Sequence, residues 1–306
     1  MLAQVTAKST TLTAKSSTLG ELITQTERRL RAAKLSYGHG TLNARDEAAW
    51  LVSHAAKLSP DLLIESLHKV VCIRVSARID SLIDKRIKSR KPLAYLLGEA
   101  WLSGYKFLVD QRVIVPRSYI AEPLLEAFSP WISRPGTIKR ILDLCTGSGC
   151  LAILAALAFP RAQVDAVDIS KRSLAVAKKN VQAYGLAQRV TLIPSDLFRS
   201  LPPTKYDLII SNPPYVDARA MKRLPEEYRR EPQIALDGGN DGLEFVDRIL
   251  KESRSYLTSK GSIVIEIGRN RRAFERRYPR LNVMWLDSTD HQDAVIWIDA
   301  NTLLAS

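Results

Sequence analysis

Residues 207–215, Asp-Leu-Ile-Ile-Ser-Asn-Pro-Pro-Tyr, set an apolar run directly before a rigid polar turn. Residues 207–211 have the length and branched content of a buried strand, and two prolines cannot continue a ladder, so the chain leaves the sheet at Asn212. Pro213 confines Asn212 to extended backbone, and each proline ring fixes its own φ. The Asn212 side-chain oxygen and the Pro213 carbonyl then form a pair of fixed acceptors, suited to both hydrogens of one planar NH₂ group while Tyr215 covers its face. The lone pair of such a nitrogen is delocalised, which makes it a poor nucleophile. Two acceptors aim it at an electrophile and stabilise the positive charge that develops on it. The competing reading is a mere rigid turn, because Asn-Pro and Pro-Pro are common turn dipeptides.

A second constellation is Asp143-Leu-Cys-Thr-Gly-Ser-Gly149 with Asp168 and Asp196. Glycines after a strand let the backbone approach a ligand, and an acid about 20 positions on accepts from a ribose diol; Gly147, Gly149 and Asp168 fit. The third glycine of a dinucleotide site is replaced by Ala152, and an NAD-dependent oxidoreductase stays open as an alternative. The acidic series Asp143, Asp168, Asp196 would repel a pyrophosphate but suits a ligand carrying an ammonium and a sulfonium, namely S-adenosylmethionine. Cys145 and Cys150, with no histidine near them in sequence, read as small buried side chains.

These turns need a sheet. From residue 137 the period alternates between strands (139–144, 164–167 ending in Asp168, 190–193, 206–211, 262–267, 283–286 and 294–298) and helices (150–159, 174–184 and 243–257). That order predicts an α/β fold: a Rossmann-like, mostly parallel seven-stranded sheet with helices on both faces, one of the last two strands running antiparallel. The catalytic domain is placed at 137–306. A small helical N-terminal domain is placed at 18–92: a capping box of Thr18 and Glu21 opens a helix to about residue 35, Asn43 caps a second, Ser59-Pro60 starts a third, and a fourth covers 71–89. Tyr37-Gly-His-Gly40 reads as a turn, and His39 as an ordinary histidine. Residues 93–136 form a connector, with a β-hairpin of 94–102 and 105–109 around Ser103-Gly104 and a linker helix at 122–128. Residues 1–17 read as a disordered tail. The stretch 216–239 has no evident regular structure, and a loop of that length inside a compact domain points to substrate recognition.

The 306 residues are 46% apolar, ample for a core. No run approaches the roughly 18 to 20 apolar residues of a membrane span, and the amino terminus lacks a secretory pattern, so a cytoplasmic protein without a membrane partner is expected. Three cysteines and four histidines are scattered, against disulfides and metal. The net charge of +13 is uneven: residues 69–91 carry eight basic residues against two acids, and 269–280 six arginines against Glu275. Such patches point to a polyanion such as RNA, or are plain solvated faces.

Asp143-x-Cys-Thr-Gly-Ser-Gly149 followed by Asn212-Pro-Pro-Tyr215 resembles the class I methyltransferases that modify planar NH₂ groups, in particular those that methylate glutamine in proteins. Val113-Ile-Val-Pro-Arg117, Glu231-Pro232, Gly238-Gly239, Asp241-Gly242-Leu243 and Glu266-Ile-Gly268 extend the resemblance over nearly the whole chain. It implies S-adenosylmethionine as methyl donor, S-adenosylhomocysteine as product and no metal. It implies Gly147 and Gly149 near the methionine end of the cofactor, Asp143 and Thr146 also among its contacts, Asp168 on the ribose, Asp196 or Leu197 at the adenine, and Asn212 between cofactor and substrate. Asn212 with Pro213 would hold the amide, Tyr215 would pack on the glutamine, and Pro116, Arg117 and Pro214 would line the substrate side, with the N-terminal domain recognising the substrate. Two branches share this pattern, one acting on the Gly-Gly-Gln of peptide-chain release factors and one on large-subunit ribosomal protein number three. Tyr37-Gly-His-Gly-Thr41, Ala100-Trp101, Arg117-Ser118, Leu224-Pro225 and Glu227-Tyr-Arg229 are similar to the second. That branch implies a ribosomal-protein partner; the two basic patches point to its being presented with ribosomal RNA in an assembly intermediate, free protein staying the alternative. Pro123 stands where an aliphatic residue is expected and puts the start of its helix in question. The release-factor branch, an adenine-amine nucleic-acid methyltransferase and a non-catalytic ribosome-assembly factor remain alternatives.

Overall fold

The computed structural model describes residues 17–288 and 291–305, so the tail expected over 1–17 lies, Ser17 apart, outside the described residues. The chain divides into two compact units, one of residues up to Leu35 with Thr41–Arg90, the other of Ser36–Gly40 with Lys91–Ser306.

The first unit contains α1 (Leu19–Ala32), α2 (Ala44–Ala56), α3 (Pro60–Ser66) and α4 (Ile73–Ser89). Thr18 and Glu21 close the expected capping box, and the Asn43 side chain accepts from the Arg45 and Asp46 N–H groups. Leu22, Ile23 and Leu30 meet Leu51, Val52, Ile79 and Ile83 in its core. Arg86, read from sequence as part of a basic face, is fully buried, and its Nε donates to Glu47 at 2.8 Å. Arg90 likewise turns inward, donating to the Ala33 carbonyl. The exposed positive charge of α4 is therefore carried by Arg74, Arg78, Lys85 and Lys88, beside the exposed Asp80 and Asp84.

The second unit opens with α5 (Leu93–Leu97), where the sequence suggested the first arm of a hairpin. The hairpin is shorter, β1 (Glu99–Leu102) and β2 (Tyr105–Leu108), around Ser103 and Gly104, both at positive φ as a two-residue turn requires. It is pinned by Asn180, whose amide exchanges two hydrogen bonds with the Leu108 backbone. The linker helix α6 (Ala121–Leu125) ends early, because Ala127 and Phe128 both take positive φ. Pro123 fits there since its missing N–H falls in the first turn, where no intrahelical acceptor exists.

The large sheet has the order β5-β4-β3-β6-β7-β9-β8, and among the described strands β9 alone runs against the rest. In chain order its elements are β3 (Arg140–Leu144), α7 (Cys150–Ala158), β4 (Gln163–Asp168), α8 (Lys171–Ala183), β5 (Val190–Pro194), β6 (Tyr206–Ser211), α9 (Ala218–Lys222), α10 (Glu244–Ser253), β7 (Leu257–Glu266), α11 (Arg271–Arg277), β8 (Met284–Ser288), β9 (His291–Asp299) and α12 (Ala300–Ala305). Residues alternate between two cores: Ile141, Leu208 and Ile210 pack with α6 and α7, and Leu142, Leu144 and Ile209 with α10, α11 and α12. Two expectations change. The sequence missed α11, whose arginines read as a charge patch, and 216–239 is less irregular than expected, since Asp217 caps α9. No helix among the described residues is long and apolar enough to cross a membrane. The strand order reverses between β3 and β6, so the turns leaving these two neighbours open a crevice at their carboxyl ends. Leu144 pairs with Ser211, which sets the Cys145–Gly149 turn beside Asn212.

Candidate active site

On the β3 side the turn is held from below. Asp143 lies within β3, inside the strand expected over 139–144. It is fully buried, and one oxygen accepts the Thr146 hydroxyl at 2.5 Å while the other, Oδ1, has no partner among the described residues. Burial pushes its carboxyl up to about 7. Asp168, at the end of β4, accepts from the Gly147 N–H at 2.9 Å and from the Ser170 N–H at 2.8 Å. Burial raises it too, against the pull of those two donors. Gly147, at φ +57, leaves the turn open: a Cβ there would find nothing nearer than Ile114 at 3.9 Å. Gly149 differs, since a Cβ would lie 3.1 Å from that of Ala177, so this glycine lets α7 and α8 approach. Asp196 accepts from Arg248 at 2.9 Å, an ion pair the sequence did not foresee, and Leu197 beside it is buried at φ +48.

On the β6 side the Asn212 NH₂ donates to the Arg117 carbonyl at 3.0 Å. That leaves its second N–H and the oxygen Oδ1; Oδ1 has no partner among the described residues, and the Pro213 carbonyl has none either. Pro116, Pro213 and Pro214 are buried. The Arg117 guanidinium grips Glu231 with two bonds, of 2.8 and 2.6 Å, and lies over the Tyr228 ring. What Arg117 offers Asn212 is its main chain. Glu231 also accepts the Val115 N–H, and although burial opposes its ionisation, Arg117 holds it at about 2.

The Tyr215 hydroxyl donates to Glu266 at 2.9 Å, and the same carboxylate accepts the Ser118 hydroxyl at 2.6 Å and the Tyr119 N–H at 2.9 Å. Burial pushes Glu266 up to about 7 against these donors. Gly268 exists for Tyr215: a Cβ there would lie 2.5 Å from the ring. Two remote segments, 117–119 and 212–215, are thus joined twice, once at the Arg117 carbonyl and once at Glu266. Glu231 and Glu266 carried no role in the sequence reading, although both fell in its motifs.

The profile of the methyltransferase small domain matches residues 123–227 and that of the PrmC N-terminal domain residues 21–98. A ribosomal protein uL3 glutamine methyltransferase of Bordetella pertussis is 50% identical over 94% of this chain and 96% of its own. The chain belongs to this family of glutamine methyltransferases. The relative from Bradyrhizobium diazoefficiens, under the same name, is 47% identical over 93% of each chain. A solved structure, the hMettl16 catalytic domain in complex with MAT2A 3'UTR hairpin 6, superposes with a TM-score of 0.50 over 76% of this chain and 84% of its own at 15% identity, a likeness of fold. The family's fold is the one described above, a class I methyltransferase sheet preceded in sequence by a helical unit. Among the described residues no group of histidine, cysteine, aspartate and glutamate could hold a metal ion.

Proposed function

We propose that this protein transfers a methyl group from S-adenosylmethionine to the side-chain amide nitrogen of a glutamine in ribosomal protein uL3, releasing S-adenosylhomocysteine, and that it does so in the cytoplasm. The observation that carries the reading is the hydrogen bond from Asn212 to the Arg117 carbonyl, which leaves the Asn212 oxygen as its acceptor for a ligand. With the Pro213 carbonyl it accepts the two hydrogens of the glutamine amide, orients the nitrogen for in-line displacement and stabilises the charge forming there. Tyr215, held by Glu266, covers the amide, and Pro116 and Pro214 shape the buried backbone around it. When bound, the cofactor supplies an electrophilic methyl group on a sulfonium. The residues present fit it: the unpartnered Asp143 oxygen suits an ammonium and the open Gly147 turn admits a close ligand, and we assign Asp168 to the ribose and Asp196 with Leu197 to the adenine. Thr146 and Gly149 serve indirectly, the first by bonding Asp143 and the second by seating α7.

Asp168→Ala is expected to weaken cofactor binding by about 1.5 to 3 kcal/mol, through lost bonds to a charged acceptor and a loosened Gly147 turn. Calorimetric titration tests this, and unchanged affinity would remove Asp168 from the site. The substrate is tested by mass spectrometry of tryptic peptides after incubation with uL3, a release factor carrying Gly-Gly-Gln, and an adenine-bearing oligonucleotide. Methylation of a uL3 glutamine is expected. Methylation of the release factor alone would place the protein in the other branch.

A ribosomal-RNA contribution is favoured by α11 and its flanks. Arg277 is engaged by Asp241 and Asp247, and Arg271 by Glu275 and Asp293, but Arg269, Arg272, Arg276 and Arg280 are exposed. Phosphate contacts release counterions, so affinity for uL3 bound to its RNA should fall steeply with salt, and an Arg272, Arg276, Arg280 triple alanine variant should flatten that slope by roughly two to three units. A slope the variant leaves unchanged would make these arginines a solvated face.

A further inference from the structure

The five residues Ser36–Gly40 lie in sequence between α1 and α2, yet belong to the second unit. There the Tyr228 hydroxyl donates to the Tyr37 carbonyl at 3.1 Å. The buried His39 ring sits 4.1 Å from the Tyr228 ring, and its Nε2 comes within 3.4 Å of Glu231. Gly38, at φ +113, is the only residue type that fits: a Cβ would lie 2.1 Å from the Tyr228 hydroxyl oxygen. Beyond this layer stands Arg117, gripped by Glu231 and stacked on Tyr228 at 5.4 Å, and its carbonyl holds the Asn212 amide. Three segments far apart in sequence, 36–40, 115–118 and 228–231, therefore form one stack that ends at Asn212.

We propose that residues 36–40 are a positioning element of the acceptor site, acting through Tyr228 and Glu231 on Arg117 and hence on the orientation of the Asn212 amide. The stack explains why a piece of chain from between two helices of the first unit is built into the second: it backs the loop that turns the Asn212 oxygen toward the substrate. Among the described residues the β3 turn and Asp168 bond to Val167, Asp143, Asn180 and Ser170 and not to the stack, so a fault in the stack should be felt by the acceptor and not by the cofactor. The proposal rests on the methyl-transfer reading, which wild-type turnover tests by itself.

The experiment compares wild type, Gly38→Ala, Tyr228→Phe and the double variant in kcat and in calorimetric affinity for S-adenosylhomocysteine. Gly38→Ala drives its methyl into the Tyr228 hydroxyl, and a displacement of that size passed to Asn212 should lower kcat by about tenfold or more at unchanged cofactor affinity. In the Tyr228→Phe background the hydroxyl is gone and the nearest ring atom, Cζ, is 3.3 Å away, so the same alanine should cost much less. Backbone strain at φ +113 is present in both backgrounds and cancels from the comparison. An equal cost in both backgrounds, no cost in either, or a parallel loss of cofactor affinity would overturn the proposal. Should the Gly38 variants not fold, His39→Ala decides: reduced kcat with intact cofactor affinity supports the element, and wild-type kcat removes it.

Discussion

Asn212→Ala is expected to lower kcat by on the order of a hundredfold or more while cofactor affinity stays within roughly twofold of wild type. The asymmetry follows from where the side chain is engaged. Its NH₂ is bound to the Arg117 carbonyl on the acceptor side, and its oxygen is the group that meets charge appearing on the substrate nitrogen. Such an acceptor matters most when the charge is largest, in the transition state. Asn212→Asp should be no better, because it sets a carboxylate oxygen against the Arg117 carbonyl where a hydrogen now lies between them. Single-turnover methyl transfer beside calorimetric titration separates the two quantities. Turnover near the wild-type rate in the alanine variant would remove the clamp from the mechanism.

Glu231→Ala should destabilise the fold and disable the acceptor side together. Its side chain is fully buried and receives four contacts, from Arg117 twice, from the Val115 N–H and from His39. Deleting one partner of a buried ion pair costs about 3 to 5 kcal/mol. Arg117 keeps 25% of its side chain exposed, so water can take up part of the orphaned charge and the lower end applies. The pH dependence has a definite sign. Glu231 titrates at about 2 in the fold against an ordinary 4.5, so the stability it contributes is fully present above 4.5 and is lost as pH falls toward 2. Glu231→Gln, close in shape but uncharged, should flatten that acid limb while leaving the rest of the profile in place. Denaturant unfolding of wild type and variant across this range provides the check, and an unaltered acid limb would show that the pair does not stabilise the protein.

What could be read from sequence was what local chemistry decides. The run 208–211 belongs to a central strand because every residue of it can be buried, and Asn212 follows because proline ends a ladder. The capping box at Thr18 and the Asn43 cap need only three or four consecutive residues. Residues 93–97 failed for the complementary reason: Leu-Ala-Tyr-Leu-Leu is too short to show a period, and the informative residue was Gly98, whose φ of +74 closes a single helical turn onto Ala94. Glu231 and Glu266 could not be assigned roles because their partners Arg117 and Ser118 stand 114 and 148 positions away. His39 looked ordinary for the same reason. The charge patches were over-read: Arg86 and Arg90 count as surface in a sum over residues 69–91, but the packing of α1 on α2 and α4 takes both inward.

With its NH₂ turned to the Arg117 carbonyl, Asn212 presents its oxygen, not its donors, to an incoming side chain. A glutamate, the deamidation product of the same glutamine, would bring two bare oxygens against the Asn212 and Pro213 oxygens, with no hydrogen between them. Sites that hydrogen-bond a substrate N–H reject analogues lacking it by about 10⁴ to 10⁵. A substrate protein aged by loss of that amide would pass unmarked, and the methyl group would then certify that the residue beneath it was chemically intact when it was read.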